Sequence, residues 1–482
     1  MAVTVLLPRV GWPRIIQGGM GIGVSGWRLA RAVSVTGQLG VVSGVALDNL
    51  VVRRLQLGDA GGHVRRALAK YPFPCVADEL LERYFVDGGI PPDAPFALGP
   101  KPSVHPHRRA SELVTAANFV EIFLAKEGHD GVVGVNYLEK LQMSTPAAVY
   151  GAMLAGVDYV LVGAGIPAEF PALLGELAAG RSGRISIDVV GDQSIPLTVQ
   201  VTLPSAGHEP VELRRPRFLA IVASHVLASF LARDERTRPD GFVVESPEAG
   251  GHSAPPRGPL TLDERGQPVY GPRDVADLDK LRDLGLPFWL AGASAHPKRL
   301  AEALALGAAG VQIGSAFALC EESGLAPHWR TQIIERELAG DLRVLADPTA
   351  SPTGFPFKVA ELPGTVADPA VSARRHRICD AGYLRVPYRK ADGELGYRCS
   401  AEPVAAYVRK GGNPEEADGR QCLCNGLIAA TGLGQRRRSG GTEPAIVTIG
   451  QDLSFLPNLV HRWGARSYRA AEVVAYLLGE EN

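Results

Sequence analysis

Residues 288–315 read FWLAGASAHPKRLAEALALGAAGVQIGS, and this one stretch holds a complete strand–helix–strand unit. Phe288–Gly292 is a short apolar run that stops at a glycine. Pro297–Leu306 then repeats its apolar residues at helical spacing. Val311–Gly314 is a second apolar run, again stopped by glycine. Two strands joined by a crossover helix are the unit of a parallel sheet.

Working outward, the same rhythm recurs along the chain. Apolar runs appear at Arg14–Gly18, Leu39–Ser43, Val132–Tyr137, Tyr159–Gly163, Phe218–Ser224 and Gly241–Glu245, which with the first two makes eight. Helical spacing appears between them at Ser25–Val35, Ala110–Lys126, Ala147–Leu154, His225–Leu231 and Asp274–Leu284. Eight strands close a barrel, so the expected fold is α/β, a (β/α)8 TIM barrel with insertions and a C-terminal appended segment. The barrel is expected over residues 1–330, with insertions at about 45–108 and 166–216, the second containing a hairpin of Ile185–Val190 with Leu197–Leu203. Short apolar runs do not announce which sheet they join, so an inserted strand could be exchanged for a barrel strand. Residues 331–482 break the rhythm; they form a Cys-containing extension expected to end in a helix, Ala470–Leu478.

The composition is ordinary for a globular chain able to bury a core: 46% hydrophobic, 21% charged, formal net charge -1. No global field is available to gather nucleic acid or an anionic membrane. The basic run Arg436-Arg437-Arg438, beside Ser439-Gly440-Gly441, reads as a solvated loop. The apolar stretch Val3–Leu7 is too short for a secretory core, and no run approaches the ~20 residues of a membrane helix, so a cytoplasmic protein is expected. Six cysteines in 482 residues make no disulfide scaffold.

In such a barrel the active site lies where the strands end, so the residues after each run are the candidates. After the first strand comes Gln17-Gly18-Gly19-Met20-Gly21, where missing side chains allow a flat ring to approach the backbone or simply make a tight turn. After the last two strands come Gly292-Ala293-Ser294 and Gly314-Ser315, the usual phosphate-binding loops of this fold. Together they point to a phosphate-bearing cofactor. The sixth strand runs into Glu245-Ser246-Pro247-Glu248-Ala249-Gly250-Gly251-His252, which sets a histidine over the barrel mouth. Such a histidine can relay a proton near neutral pH, or it can be a loop residue bonded for structure. Asn136, at the end of the third strand, either meets the cofactor edge or caps the next helix.

These elements resemble the nitronate monooxygenase (2-nitropropane dioxygenase) family of flavoproteins and related flavin enoyl reductases. The resemblance runs through most of residues 11–325. It rests on Gln17–Gly21, Gly134-Val135-Asn136, Glu248–His252, Ala291-Gly292-Ala293 and Gly307–Phe317. It implies FMN across the barrel mouth, contacted by Gly19, Met20, Asn136, Gly250, Gly251, Gly292, Ala293, Gly314 and Ser315, with His252 catalytic. The implied activity is oxidation of a nitronate or similar carbanion with O2. The alternative is an NAD(P)H-dependent enoyl reductase acting in trans on a carrier-bound acyl chain of a polyketide or fatty-acid synthase. The Pro-rich loop after His252, the 45–108 insertion and the long tail depart from compact family members and put the substrate in doubt.

Two further readings compete. A barrel dehydrogenase with a cysteine nucleophile needs that cysteine soon after the phosphate Gly-Ser, yet Ala316–Leu319 separate Ser315 from Cys320. A scaffold protein that binds flavin without catalysis would hold His252 away from the cofactor. In the tail, Cys379, Cys399, Cys422 and Cys424 supply enough thiolates for a zinc or iron–sulfur site, though they lack paired C-x2-C knuckles and could be scattered buried thiols.

Overall fold

Eight parallel strands close into a barrel in the computed structural model: β1 (Ile15–Gln17), β2 (Leu39–Ser43), β3 (Val133–Leu138), β4 (Tyr159–Gly163), β5 (Arg217–Val222), β6 (Gly241–Glu245), β7 (Phe288–Ala291) and β8 (Gly310–Ile313). The structure describes residues 11–191, 197–201, 211–438, 440–462 and 467–480. The expected N-terminal apolar stretch, the end of the inserted hairpin and Ser439 fall outside them. Each strand pairs with its neighbours in order, and β1 closes on β8 through Ile15↔Val311, Ile16↔Gln312 and Gln17↔Ile313. All eight expected runs are the barrel strands. The inserted hairpin, Arg184–Ile187 with Leu197–Gln200, is a separate antiparallel pair, so no strand is exchanged.

Residue alternation explains why these runs read as continuously apolar. Ile16, Leu39, Val41, Leu161, Leu219, Val243 and Trp289 point inward and form one buried cluster. Their neighbours Ile15, Val42, Val160, Val162, Phe218, Phe242 and Phe288 belong to the outer cluster under the helices. A strand covered on both faces has no polar side to show.

The N-terminal end of the barrel is plugged. Trp289 is wholly buried, and its indole N–H donates to the Pro13 carbonyl at 2.7 Å. Its ring meets Trp12 edge-on at 5.6 Å, and the Arg217 guanidinium covers Trp12 while donating to the Tyr159 hydroxyl. Among the described residues the C-terminal mouth is the end left open to a ligand.

The segment expected as a Pro-, His- and charge-rich insertion forms three helices, Leu47–Gln56, His63–Leu68 and Pro74–Tyr84, packed with the long helix Arg108–Lys126. Arg54 of the first pairs with the fully buried Glu121 of the last. The extension contributes a helix, Pro327–Ala339, and two hairpins, Val344–Asp347 with Phe357–Ala360 and Val386–Arg389 with Leu395–Arg398. Three late helices follow: Leu423–Ala429, Leu456–Arg462 and Ala470–Leu478, the last packed on helices Trp27–Ser34 and Pro297–Ala305. Phe357, Val359, Leu423, Ile446, Phe455 and Leu477 share one hydrophobic cluster with the barrel's outer layer.

The solvated-loop reading of the basic run is corrected for two of its three arginines. Arg436 donates to the Pro91 carbonyl with its guanidinium over Phe96, and Arg437 pairs with the buried carboxylates Asp380 and Glu443. Only Arg438 is exposed. Among the described residues no helix is long and apolar enough to cross a membrane.

If Trp289 fills the closed end, Trp289→Ala should cost ~3–5 kcal/mol of stability, the range for truncating a buried aromatic. Chemical denaturation measures it. A loss under about 1 kcal/mol would show that the plug contributes little.

Candidate active site

The C-terminal mouth opens into a cavity enclosing about 1520 Å³ of space between atoms, part of it open to solvent. Its walls include Gly19, Met20, Asn136, Gly250, Gly251, His252, Gly292, Ala293, Gly314 and Ser315. His252 and every cofactor contact expected from the sequence thus line one space.

Local physics holds the loop after β1. Gln17 is fully buried; its side-chain oxygen accepts from Val41 N and its amide nitrogen donates to Ser25 Oγ at 2.9 Å. Ser25 Oγ in turn accepts from Met20 N and donates to the Gly18 carbonyl. Gly19 sits against Asn136, where an added Cβ would come within 2.4 Å of the asparagine Cβ. The Asn136 amide donates to the Tyr137 carbonyl at 2.9 Å.

The loop after β7 carries two successive left-handed residues, Gly292 (φ 94°) and Ala293 (φ 46°). A side chain on Gly292 would collide with Ser246 Oγ at 2.1 Å. Strain of this kind at a non-glycine residue, as at Ala293, collects at ligand sites. Gly314 has an ordinary negative φ of -107°, and an added Cβ would meet only the Met20 side chain, at 3.5 Å. The Ser315 hydroxyl accepts from Gly450 N at 2.9 Å, so the extension is bonded directly onto this loop.

His252 Nε2 lies 2.7 Å from Ser351 Oγ, which is 2.8 Å from Thr353 Oγ1. Its ring sits edge-on to Phe357 at 4.8 Å and Phe355 at 6.4 Å. The backbone around it is stitched to the extension: Lys358 N donates to the Gly251 carbonyl, Ser253 N to the Pro356 carbonyl, and Gly251 N to Thr448 Oγ1. Burial holds the imidazole down to about 4. His252 is therefore neutral at working pH, able to accept a proton or donate an N–H.

Behind it lies a buried pair that sequence reading does not single out. Lys358 is fully buried and donates from Nζ to the Pro247 carbonyl at 2.6 Å. Burial pushes Lys358 down to about 8, while the Glu245 charge pulls it back. Burial likewise raises Glu245 to about 7, opposed by Lys358. Lys358, Ser351 and Thr448 all come from the extension, where no periodicity marks them.

The four late cysteines also meet. Cys379, Cys399, Cys422 and Cys424 line one small cavity, and Cys424 lines the mouth cavity as well. Among the described residues no group of three or more His, Cys, Asp and Glu side chains could hold a metal ion, so a single zinc finds no ligand shell. Cys320 stands apart, its thiol donating to the Phe317 carbonyl at 3.0 Å.

A family model described as nitronate monooxygenase matches residues 199–345, which span β5 to β8, both glycine loops and His252. The match covers less than a third of the chain and makes this segment similar to that family. A probable nitronate monooxygenase of Bacillus subtilis (strain 168) is 34% identical over 125 residues, 26% of this chain and 34% of the relative. The chain thus aligns with about a third of the length of the curated relative it matches. Among solved structures, FabK from Thermotoga maritima is 18% identical with a TM-score of 0.47, covering 97% of this chain and 92% of its own. A nitroalkane oxidase from Streptomyces ansochromogenes is 14% identical at 0.45, covering 98% and 96%. The enoyl reductase domain of MlnA from Bacillus amyloliquefaciens is 11% identical at 0.49, covering 97% and 93%. Likenesses at this level add no argument about chemistry. Within the matched segment, the histidine is roofed by the extension.

The buried setting of His252 gives a direct test. Imidazole nitrogen shifts followed by NMR should report the neutral ring down to about pH 5, with a midpoint near 4. A midpoint near the ordinary ~6.5 would mean that the ring is hydrated.

Proposed function

We propose that this chain is an FMN-dependent oxidoreductase that oxidises a nitronate or a similar carbanion with O2. The observation that carries the reading is the mouth cavity, where three glycine loops and a neutral histidine border one space in a nitronate monooxygenase segment. A flavin fits the polar groups on view. Gln312 Oε1 is buried in the cavity wall with no donor among the described residues, as an acceptor meant for a ligand N–H or O–H would be. In this reading Gly19, Met20, Asn136, Gly250, Gly251, Gly292, Ala293, Gly314 and Ser315 hold the cofactor, largely through backbone, and Gly314 leaves the phosphate its space. When bound, the flavin supplies a two-electron acceptor.

His252 is the proposed catalytic residue. Its neutral ring can take a proton from an acidic carbon or donate to a nitro or carbonyl oxygen, and Ser351 fixes its orientation. Lys358 and its bond to Pro247 hold the loop that carries the ring.

A second reading, an NAD(P)H-dependent enoyl reductase with a carrier-bound substrate, is favoured by one feature. Among the described residues that line the cavity there is no lysine or arginine, while Glu245, Glu248 and Asp452 stand in it. A nitronate anion gains no charge partner there. Leu138, Leu141, Leu384, Leu427 and Phe455 instead offer apolar wall to a neutral chain. Steady-state turnover of nitroalkane anions with O2, against enoyl thioesters with a nicotinamide, separates the two readings.

Chromatography of cofactor released from the purified chain should identify FMN. FAD, or no flavin after reconstitution, would remove the proposal. His252→Ala should lower turnover ~10²–10⁴-fold, the usual contribution of a positioned acid or base, while FMN stays bound through backbone contacts. Full activity with full flavin content would make His252 structural.

A further inference from the structure

We propose that Cys379, Cys399, Cys422 and Cys424 hold an iron–sulfur cluster beside the mouth cavity. The four thiols come from three separate stretches of the extension, and none is in a disulfide. Yet they line one small cavity together with Leu384, Arg385, Ala401 and Glu402. This is the convergence that a ligand set requires and that unrelated buried thiols do not show.

The kind of ligand follows from the number of thiols and from the lack of a single-ion site among the described residues. A single zinc needs its sulfurs all ~2.3 Å from one point, and no group of three or more such side chains among the described residues meets a single ion's demands. Four thiols around a cavity suit a cluster instead, because each then binds its own iron and the sulfurs stand farther apart.

Backbone N–H groups and basic side chains stand around the thiols. Backbone N–H groups of Ala401, Asn425 and Leu384 serve Cys399, Cys422 and Cys424, the hydrogen bonding to sulfur that tunes such clusters. Lys101 and Arg385 face Cys379, Arg375 faces Cys422, and Arg377 lies near Cys399 and Cys422. Glu402, Asp380 and Glu443 oppose them.

Position gives the site its interest. Cys424 and Leu423 begin the helix Leu423–Ala429, and both line the mouth cavity. A cluster there would pin one wall of that cavity to the segments at 379 and 399.

The proposal is independent of the flavin reading and is tested on the full chain. Protein purified without oxygen, and protein reconstituted with ferrous iron and sulfide, are assayed for iron, acid-labile sulfide and flavin, and by low-temperature EPR after reduction. Comparable iron and sulfide with a cluster signal are expected, falling at least tenfold in Cys399→Ser/Cys422→Ser and unchanged in Cys75→Ser. Should the double variant not fold, the wild-type iron and sulfide content still decides. Stoichiometric zinc, a disulfide among the four, or four freely titrating thiols after reconstitution would each overturn the proposal. Flavin without iron would remove the cluster alone; iron without flavin would remove the FMN reading alone.

Discussion

The closing pair of the barrel, β1 on β8, is the constraint on which the rest of this molecule depends. Parallel strands in a sheet leave two unpaired edges, and only the Ile15–Gln17 to Val311–Ile313 ladder removes them. That ladder also brings the loop after β1 beside the loops after β7 and β8, which are nearly three hundred residues away. The glycine-lined floor of the mouth cavity exists because of this closure, and Trp289 blocks the opposite end.

A roof is supplied by the extension. Hydrogen bonds from Lys358 N to Gly251, Ser253 N to Pro356 and Gly450 N to Ser315 attach it to the two loops nearest the proposed chemistry. This attachment controls the proton chemistry. Phe355 and Phe357 shield His252 from water, and a ring that is costly to charge stays neutral. The same burial leaves Glu245 and Lys358 each pressed toward its uncharged form and each restrained by the other. A compact barrel without this roof would leave the histidine more hydrated and closer to its ordinary titration range.

Much of the barrel was legible in the residues because the relevant signals are local. Phe288–Gly292, Pro297–Leu306 and Val311–Gly314 announce strand, helix and strand through spacing alone, and the inserted hairpin is readable for the same reason. The helices at 47–84 were not, since Pro, His and charge dilute their apolar pattern while tertiary packing against Arg108–Lys126 stabilises them. Arg436 and Arg437 misled in the opposite direction. A basic run beside glycines reads as solvated, and only the fold brings Asp380, Glu443 and Phe96 to meet it.

By itself, then, the sequence determined that eight β/α units would form a barrel, and that Gly19, Gly250, Gly292, Gly314 and His252 would stand at strand ends. Those properties follow from residue order, because in a barrel every strand end points to the same mouth. Tertiary structure alone decided what surrounds that mouth. Ser351, Lys358, Thr448 and the four cysteines acquire their neighbours through contacts between segments distant in the chain, and no periodicity encodes such contacts. The ionisation of His252 belongs to the same class, since a pKa is set by the groups and the water around a side chain rather than by its place in the sequence.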